Sequence, residues 1–317
     1  MAMATTAPDP AEIAWLVTHS GGFHADEVMA TVILSRIFPT ARILRTRAAN
    51  WTVPAPDRLI YDVGGAYDAV AGIFDHHQRG APLREDGGPL SSFGLIWRHF
   101  GRRYLALCAI PEAEIDAVHG AFDKAFVVPV DLIDTGAISP ASAGPLAGLT
   151  LPLLLETLKP AFDDPDPEAD TRGFFAALEI ARTFIEAAIA GHAAKIRADS
   201  VVRAAIARAG QGRVLELPTG MPFRKAIEQA GADHLLFVVH PRKSDWCVTG
   251  IRRAEGDFAL RADLPATWAG LTDAALEAAT GVKGAVFCHN ARFIAAAATR
   301  EAALQLAEIA VAEAVAP

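Results

Sequence analysis

Four short runs of this 317-residue chain gather the imidazoles and carboxylates that metal chemistry uses. Phe74-Asp75-His76-His77-Gln78-Arg79 closes an apolar stretch with an Asp-His-His triplet. Upstream, His19, His24 and Asp26 fall within eight residues of one another, and Asp62 follows a second apolar segment. Downstream, Asp131 and Asp134 follow a third. Imidazole nitrogens and carboxylate oxygens suit manganese, cobalt, zinc or iron. His19, His24, Asp26, Asp62, His76 and Asp134 are together enough to hold two divalent ions. A pair of ions about 3.5–4 Å apart clamps a phosphoryl group and activates water for in-line attack.

Taken singly, each run has a plainer meaning. Asp26 can cap a helix beside two solvated histidines, Asp62 can close a strand as an Asx turn, and Asp131 and Asp134 can be solvated turn carboxylates. Four of the ten histidines fall in only two short motifs, which argues against scatter. Neighbouring side chains on a strand face opposite sides, so one of His76 and His77 ligates metal and the other faces substrate. Asp75 is placed to hold a ring N–H and fix which nitrogen is free to coordinate. Spacing of three puts Asp131 and Asp134 on one face of a helical turn. Thr135-Gly136 favours Asp134 as the ligand and leaves Asp131 as support or alternative ligand.

The elements that must position these groups alternate. Apolar runs predict strands at 14–18, 41–44, 58–61 and 70–74, and the spacing of Val28, Met29, Val32, Ile33 and Ile37 predicts a helix over 26–38. Further helices are expected from Ser91-Ser92, over 112–127 and over 171–209. The remainder predicts strands at 213–217, 234–239, 246–251 and 284–288, with helices at 223–229, 272–279 and 299–315. This is an α/β chain: a doubly wound, mainly parallel sheet in an N-terminal domain, 1–200, and a smaller α+β domain, 201–317. Ligands of such sheets gather beyond the carboxyl ends of the strands, where His19, Asp62 and Asp75 fall.

The composition excludes several classes. With 52% apolar and 21% charged residues the chain is not disordered. A formal charge of -8 argues against a broad duplex-binding face, yet leaves room for a local basic groove. Cys108, Cys247 and Cys288 are few, odd in number and far apart, which indicates reduced thiols. No apolar run reaches membrane-spanning length, and Met1–Pro10 lacks the features of a signal peptide, so a cytoplasmic enzyme with no membrane partner is expected. Apolar helix faces allow a homodimer. Basic candidates for phosphate contact are Arg79, directly after the triplet, Lys243, Arg252, Arg253 and Arg292, with His289 beside Cys288 as a further substrate contact.

In their order, these motifs resemble the DHH phosphoesterase superfamily, and closely its Myg exonuclease (melanocyte proliferating gene) branch. The resemblance rests on His-Ser-Gly-Gly-Phe-His-Ala-Asp-Glu at 19–27, Asp-Val-Gly-Gly at 62–65 and Asp-His-His-Gln-Arg at 75–79. It continues through Ser-Ser-Phe-Gly-Leu-Ile at 91–96 and Asp-Leu-Ile-Asp-Thr-Gly at 131–136, then 268–271, 287–289 and 299–302. It implies a two-domain fold with the active site in the cleft, and two divalent cations, manganese in preference to magnesium, cobalt or zinc. One ion would sit on His19, His24 and Asp62, the other on Asp26, Asp62, His76 and Asp134. His77, supported by Asp75, would face the substrate phosphate. The implied activity is 3′–5′ exoribonuclease or oligonucleotide phosphodiesterase action on single-stranded RNA or short oligonucleotides. Alternatives are a small-molecule phosphatase or pyrophosphatase, and a metal-stabilised RNA-binding protein without turnover. Relatives carry adjacent glycines where this chain has Ala295-Ala296, which predicts a reshaped substrate loop with metal binding intact.

Overall fold

A computed structural model describes residues 13–314 except Glu255 and Asp257, so the expectations for Met1–Pro10 and for Val315 lie outside the described residues. The chain divides into two compact units, Met1–Ala193 and Ala194–Pro317. Both are mixed α/β, each with a five-stranded sheet.

In the first unit, β1 (Trp15–Thr18) leads to α1 (Ala25–Ile37), β2 (Arg42–Arg45), β3 (Arg58–Tyr61), β4 (Tyr67–Asp68) and β5 (Ile73–Phe74). The sheet order is β2-β1-β3-β5-β4, parallel throughout except for β4, which runs antiparallel to β5. Leu16, Val17, Leu59 and Ile60 are at most 1% exposed, as expected of parallel strands covered on both faces. Helix α1 is apolar nearly all round and buried along most of its length, packed against α2 (Ser92–Leu107). Then come α3 (Glu112–Phe122), α4 (Val128–Asp134) and α5 (Leu151–Glu156), and the 41-residue α6 (Ala169–Ala209) starts in this unit and ends in the second.

Two expectations for this unit need correction. The predicted strand over 70–74 shrinks to two residues, because the Asp68 carboxylate accepts from the N–H groups of Val70 and Ala71 and curls the chain into an Asx turn. The single helix predicted over 112–127 gives way to a π-helical turn at Asp123–Val127. Pro129 stands two residues beyond that turn and lacks the N–H that an unbroken α-helix would use there, and α4 resumes around it.

In the second unit, β6 (Val214–Glu216), α7 (Arg224–Gln229), β7 (Phe237–Pro241), β8 (Trp246–Gly250), α8 (Asp273–Thr280), β9 (Ala285–Cys288), β10 (Ile294–Ala297) and α9 (Arg300–Ala314) form a sheet of order β6-β7-β8-β10-β9. Only the β6–β7 pair is parallel. Ala295 and Ala297 join Ala303, Ala307 and Ala310 of α9 in one buried cluster, small side chains that let helix and sheet approach closely. The substrate loop expected at Ala295-Ala296 is therefore a central strand. Both alanines are buried, and their backbone runs in ladder register with Val248 and Cys247 on one side and Cys288 and Phe287 on the other. Among the described residues no helix is long and apolar enough to cross a membrane.

Candidate metal centre

The carboxyl ends of β1, β3 and β5 carry the three upstream clusters. His19 directly follows β1, and a Ser-Gly-Gly-Phe turn leads to His24 at the N-cap of α1. The first turn of that helix places Asp26 and Glu27 inside, at 1% and 0% exposure. Charged residues are almost never so buried without a partner. Asp62 follows β3 with φ of +55°, a left-handed conformation that aspartate tolerates better than most residues. Gly64 then turns at φ of +104°, and a Cβ there would stand 2.9 Å from the Thr52 carbonyl oxygen. Asp134 arrives from the last residue of α4.

These groups converge. Asp62 turns one carboxylate oxygen, Oδ2, to His19 Nε2 at 3.2 Å and the other, Oδ1, to His76 Nε2 at 3.2 Å. His76 Nε2 also lies 3.3 Å from Asp134 Oδ2 and 3.8 Å from Asp26 Oδ2, while His19 Nε2 lies 3.1 Å from Glu27 Oε1. Four sets of possible ligand atoms each fit within 4.8 Å: His19, His24 and Glu27; Asp62, His76 and His77; Asp26, His76 and Asp134; and Asp26, Glu27 and Asp62. Each is a group that can hold a metal ion.

The electrostatics follow from the burial and crowding of these charges. Burial, followed by the charges of Asp62, Asp134 and Glu27, pushes the Asp26 carboxyl well above its ordinary range. Burial works against charging His19, but its hydrogen bonds to Asp62 and Glu27 outweigh it and raise the imidazole to about 10. His76 is raised in the same way, by Asp62 and then Asp134, against the same opposition from burial. Asp62, although buried, is held well below the usual carboxylate range by those two imidazoles. Buried carboxylates and imidazoles thus shift one another strongly within one small volume. Asp26 Oδ1 is buried with no hydrogen-bond partner among the described residues, a lone pair suited to a cation. The donor set therefore fits divalent ions.

Strand alternation is not what separates the two histidines of the triplet. β5 ends at Phe74, so His76 and His77 lie beyond the strand with ring centroids only 4.3 Å apart. Asp75, 2% exposed, supports His77 rather than the inner histidine: its Oδ1 accepts from His77 Nδ1 at 2.7 Å and from the His76 and His77 backbone, and its Oδ2 accepts from Gly65 N–H. His77 thereby turns its other nitrogen outward from a side chain that is 61% exposed. His24, His76, His77 and Asp134 line a hollow of about 610 Å³ together with the 81–83 and 89–90 segments.

Asp131 is engaged elsewhere. Its Oδ1 accepts from the Ser91 N–H and hydroxyl and from Gly94 N–H, at the start of α2, and its Oδ2 pairs with Arg84 at 2.5 Å. Arg84 in turn reaches Asp123 at 2.7 Å. A Cβ on Gly94 would collide with the Asp131 carboxylate, which accounts for glycine there. The same helix start serves the cluster, where Ser92 donates its hydroxyl to Asp62 and its N–H to Asp26. A helix N-terminus favours the negative charge it faces.

Of the remaining candidates, Arg79 is exposed. Within the second unit, Arg292 adopts φ of +57° and commits its guanidinium to Asp263 at 2.8 Å and to the Leu264 carbonyl. His289 stacks obliquely on Phe293, with ring centroids 4.5 Å apart. Cys288 beside it is fully buried, and burial pushes its thiol up to about 11, which disfavours a thiolate nucleophile. Glu27, Ser92 and Arg84 are the residues that motif reasoning passed over. Glu27 had a signal, since His24-x-x-Glu27 has capping-box spacing and the Glu27 carboxylate accepts from His24 N–H at 2.9 Å.

A family profile described as "Uncharacterised protein family (UPF0160)", labelled MYG1_exonuc, matches residues 15–311. The chain belongs to this family. MYG1 exonuclease of Homo sapiens is 31% identical over 93% of this chain and 85% of its own length. MYG1 exonuclease of Rattus norvegicus is 30% identical over 95% and 85%, and a MYG1 protein of Schizosaccharomyces pombe 30% identical over 92% and 95%. Every cluster described above, from His19 to Asp134, falls inside the stretch matched to the MYG1 family.

Proposed function

We propose that this MYG1-family chain is a metal-dependent phosphoesterase of the DHH type, acting as a 3′–5′ exoribonuclease or oligonucleotide phosphodiesterase on single-stranded RNA or short oligonucleotides. The observation that carries the proposal is Asp62, a buried carboxylate whose two oxygens face imidazoles from two different strand ends. A carboxylate so placed could serve two ions at once. As the family resemblance implies, His19, His24 and Asp62 would hold one, and Asp26, Asp62, His76 and Asp134 the other; Glu27, which meets the same His19 nitrogen as Asp62, forms a candidate ligand group with His19 and His24. Two divalent cations, manganese first among them, supply Lewis-acid charge toward a phosphoryl group and lower the pKa of an attacking water.

The protein's own groups do the positioning. Asp75 holds Nδ1 of His77, which leaves the Nε2 edge of that exposed ring to meet a phosphate in the hollow. Arg79 adds positive charge beside it. In the second unit, His289 and Phe293 offer an aromatic platform suited to a base. Unpaired Cys108, Cys247 and Cys288 suit a cytoplasmic setting.

Manganese-loaded protein incubated with end-labelled single-stranded RNA should shorten it stepwise from the 3′ end, and Asp62→Asn should lower the rate by about 100-fold or more. No cleavage with any divalent ion, or full activity in Asp62→Asn, overturns the proposal. The size of the hollow, about 610 Å³, also accommodates a small phosphate compound. Faster phosphate release from mononucleotides or pyrophosphate than from RNA would favour that second reading.

A further inference from the structure

A hollow of about 360 Å³ in the second unit gathers positive charge on a chain whose net charge is -8. Five cations line it, and two of them have structural work. Arg261 donates to the carbonyls of Ala232 and Leu235 and pairs with Asp233, one of the two acids of the lining, the other being Glu228. Arg253 ties the turn of its hairpin through the Leu260 carbonyl.

The other three, Arg224, Lys225 and Arg252, have no carboxylate within ion-pair distance among the described residues. Four other arginines of the same unit are ion-paired: Arg203, Arg242, Arg292 and Arg300 meet Asp199, Asp245, Asp263 and Glu216 at 2.6, 2.6, 2.8 and 2.5 Å. Arg224 and Arg252 stand close enough that burial and the Arg252 charge together depress the Arg224 guanidinium. Like charges lining one hollow with no carboxylate at ion-pair distance among the described residues offer a place for an anion. Arg252 also lies 4.9 Å from the centroid of the Phe258 ring, and Phe258 is 84% exposed. Unpaired cations beside an exposed aromatic face are the two elements of single-strand binding, where phosphates take the charge and a base takes the ring.

We propose that this hollow binds the phosphate backbone of single-stranded nucleic acid, with Arg224, Lys225 and Arg252 meeting phosphates and Phe258 stacking a base. The proposal takes only the kind of polymer from the phosphoesterase reading, and its binding test is independent of turnover.

Anisotropy of a labelled single-stranded RNA, titrated with the intact protein in chelator, measures the interaction. Arg224→Gln/Arg252→Gln should weaken binding about tenfold or more and reduce the salt slope by about 1–2. Arg203→Gln/Arg242→Gln removes the same charge from ion-paired positions and should leave both quantities near wild type. Lys225→Gln and Phe258→Ala, both at exposed side chains, should each weaken RNA binding by a smaller factor. Affinity and salt slope equal in the two double variants overturn the proposal. Inorganic phosphate that saturates the hollow as tightly as RNA does would also overturn it, assigning a free-anion site. Loss of RNA binding in the hollow variant alongside a wild-type protein that never cleaves would uphold this site and count only against the phosphoesterase reading.

Discussion

At Asp62 a left-handed backbone, a buried charge and two imidazole partners meet in one residue. Such strain persists only where the surroundings over-determine it, and it concentrates at functional sites. The proton balance around Asp62 makes a prediction about pH. In the folded metal-free chain His19 is raised from 6.5 to about 10, so its proton adds stability that is complete below pH 6.5 and lost as pH rises through about 10. Asp26, raised from 3.8, acts in the same sense from lower pH upward, whereas Asp62, held low, contributes above 3.8 and loses its contribution in acid. Chelator-treated protein should therefore melt at progressively lower temperature between pH 6.5 and 10, and manganese should restore more at the alkaline end. Calorimetric titration in the same range should show protons released on metal uptake, with affinity rising about tenfold per pH unit for each proton displaced.

Among the elements, those that apolar runs specify were the legible ones. β3 spans the predicted 58–61, and α1 begins and ends one residue early. β10 was not legible, because Ile294-Ala295-Ala296-Ala297 has no alternation and alanine has little strand preference, so pairing with β8 and β9 decides its state. Restoring glycine at both alanines should open no substrate loop. Ala295→Gly/Ala296→Gly should cost about 0.5–1 kcal/mol per site in thermal melts and leave manganese titrations unchanged. The site was legible in its ligand types and spacing, since chemistry restricts which residues serve, but the duties of its supports were not. Asp131 looks like a ligand locally; its actual partners, Arg84 and Ser91, stand 47 and 40 residues away. Gly94→Ala, which forces a methyl against that carboxylate, should lose about 1–3 kcal/mol in urea unfolding. Arg84→Met strands the buried Asp131 charge and should lose about 3–5 kcal/mol in the same assay.

For the molecule as a whole, the division into Met1–Ala193 and Ala194–Pro317 sets where metal is felt. Manganese at a hundred times its Kd stabilises what binds it by about 2.7 kcal/mol. Hydrogen exchange should accordingly slow around His19–Glu27, Asp62–Gly65, Asp75–Arg79 and Asp131–Gly136, while amides of the second unit keep their rates. Equal protection in both units would contradict a centre confined to the first. Among the described residues, every group able to hold an ion comes from the stretch between His19 and Asp134. A change of sequence anywhere beyond Ala193 can thus alter the second unit while leaving every one of these candidate ligands in place.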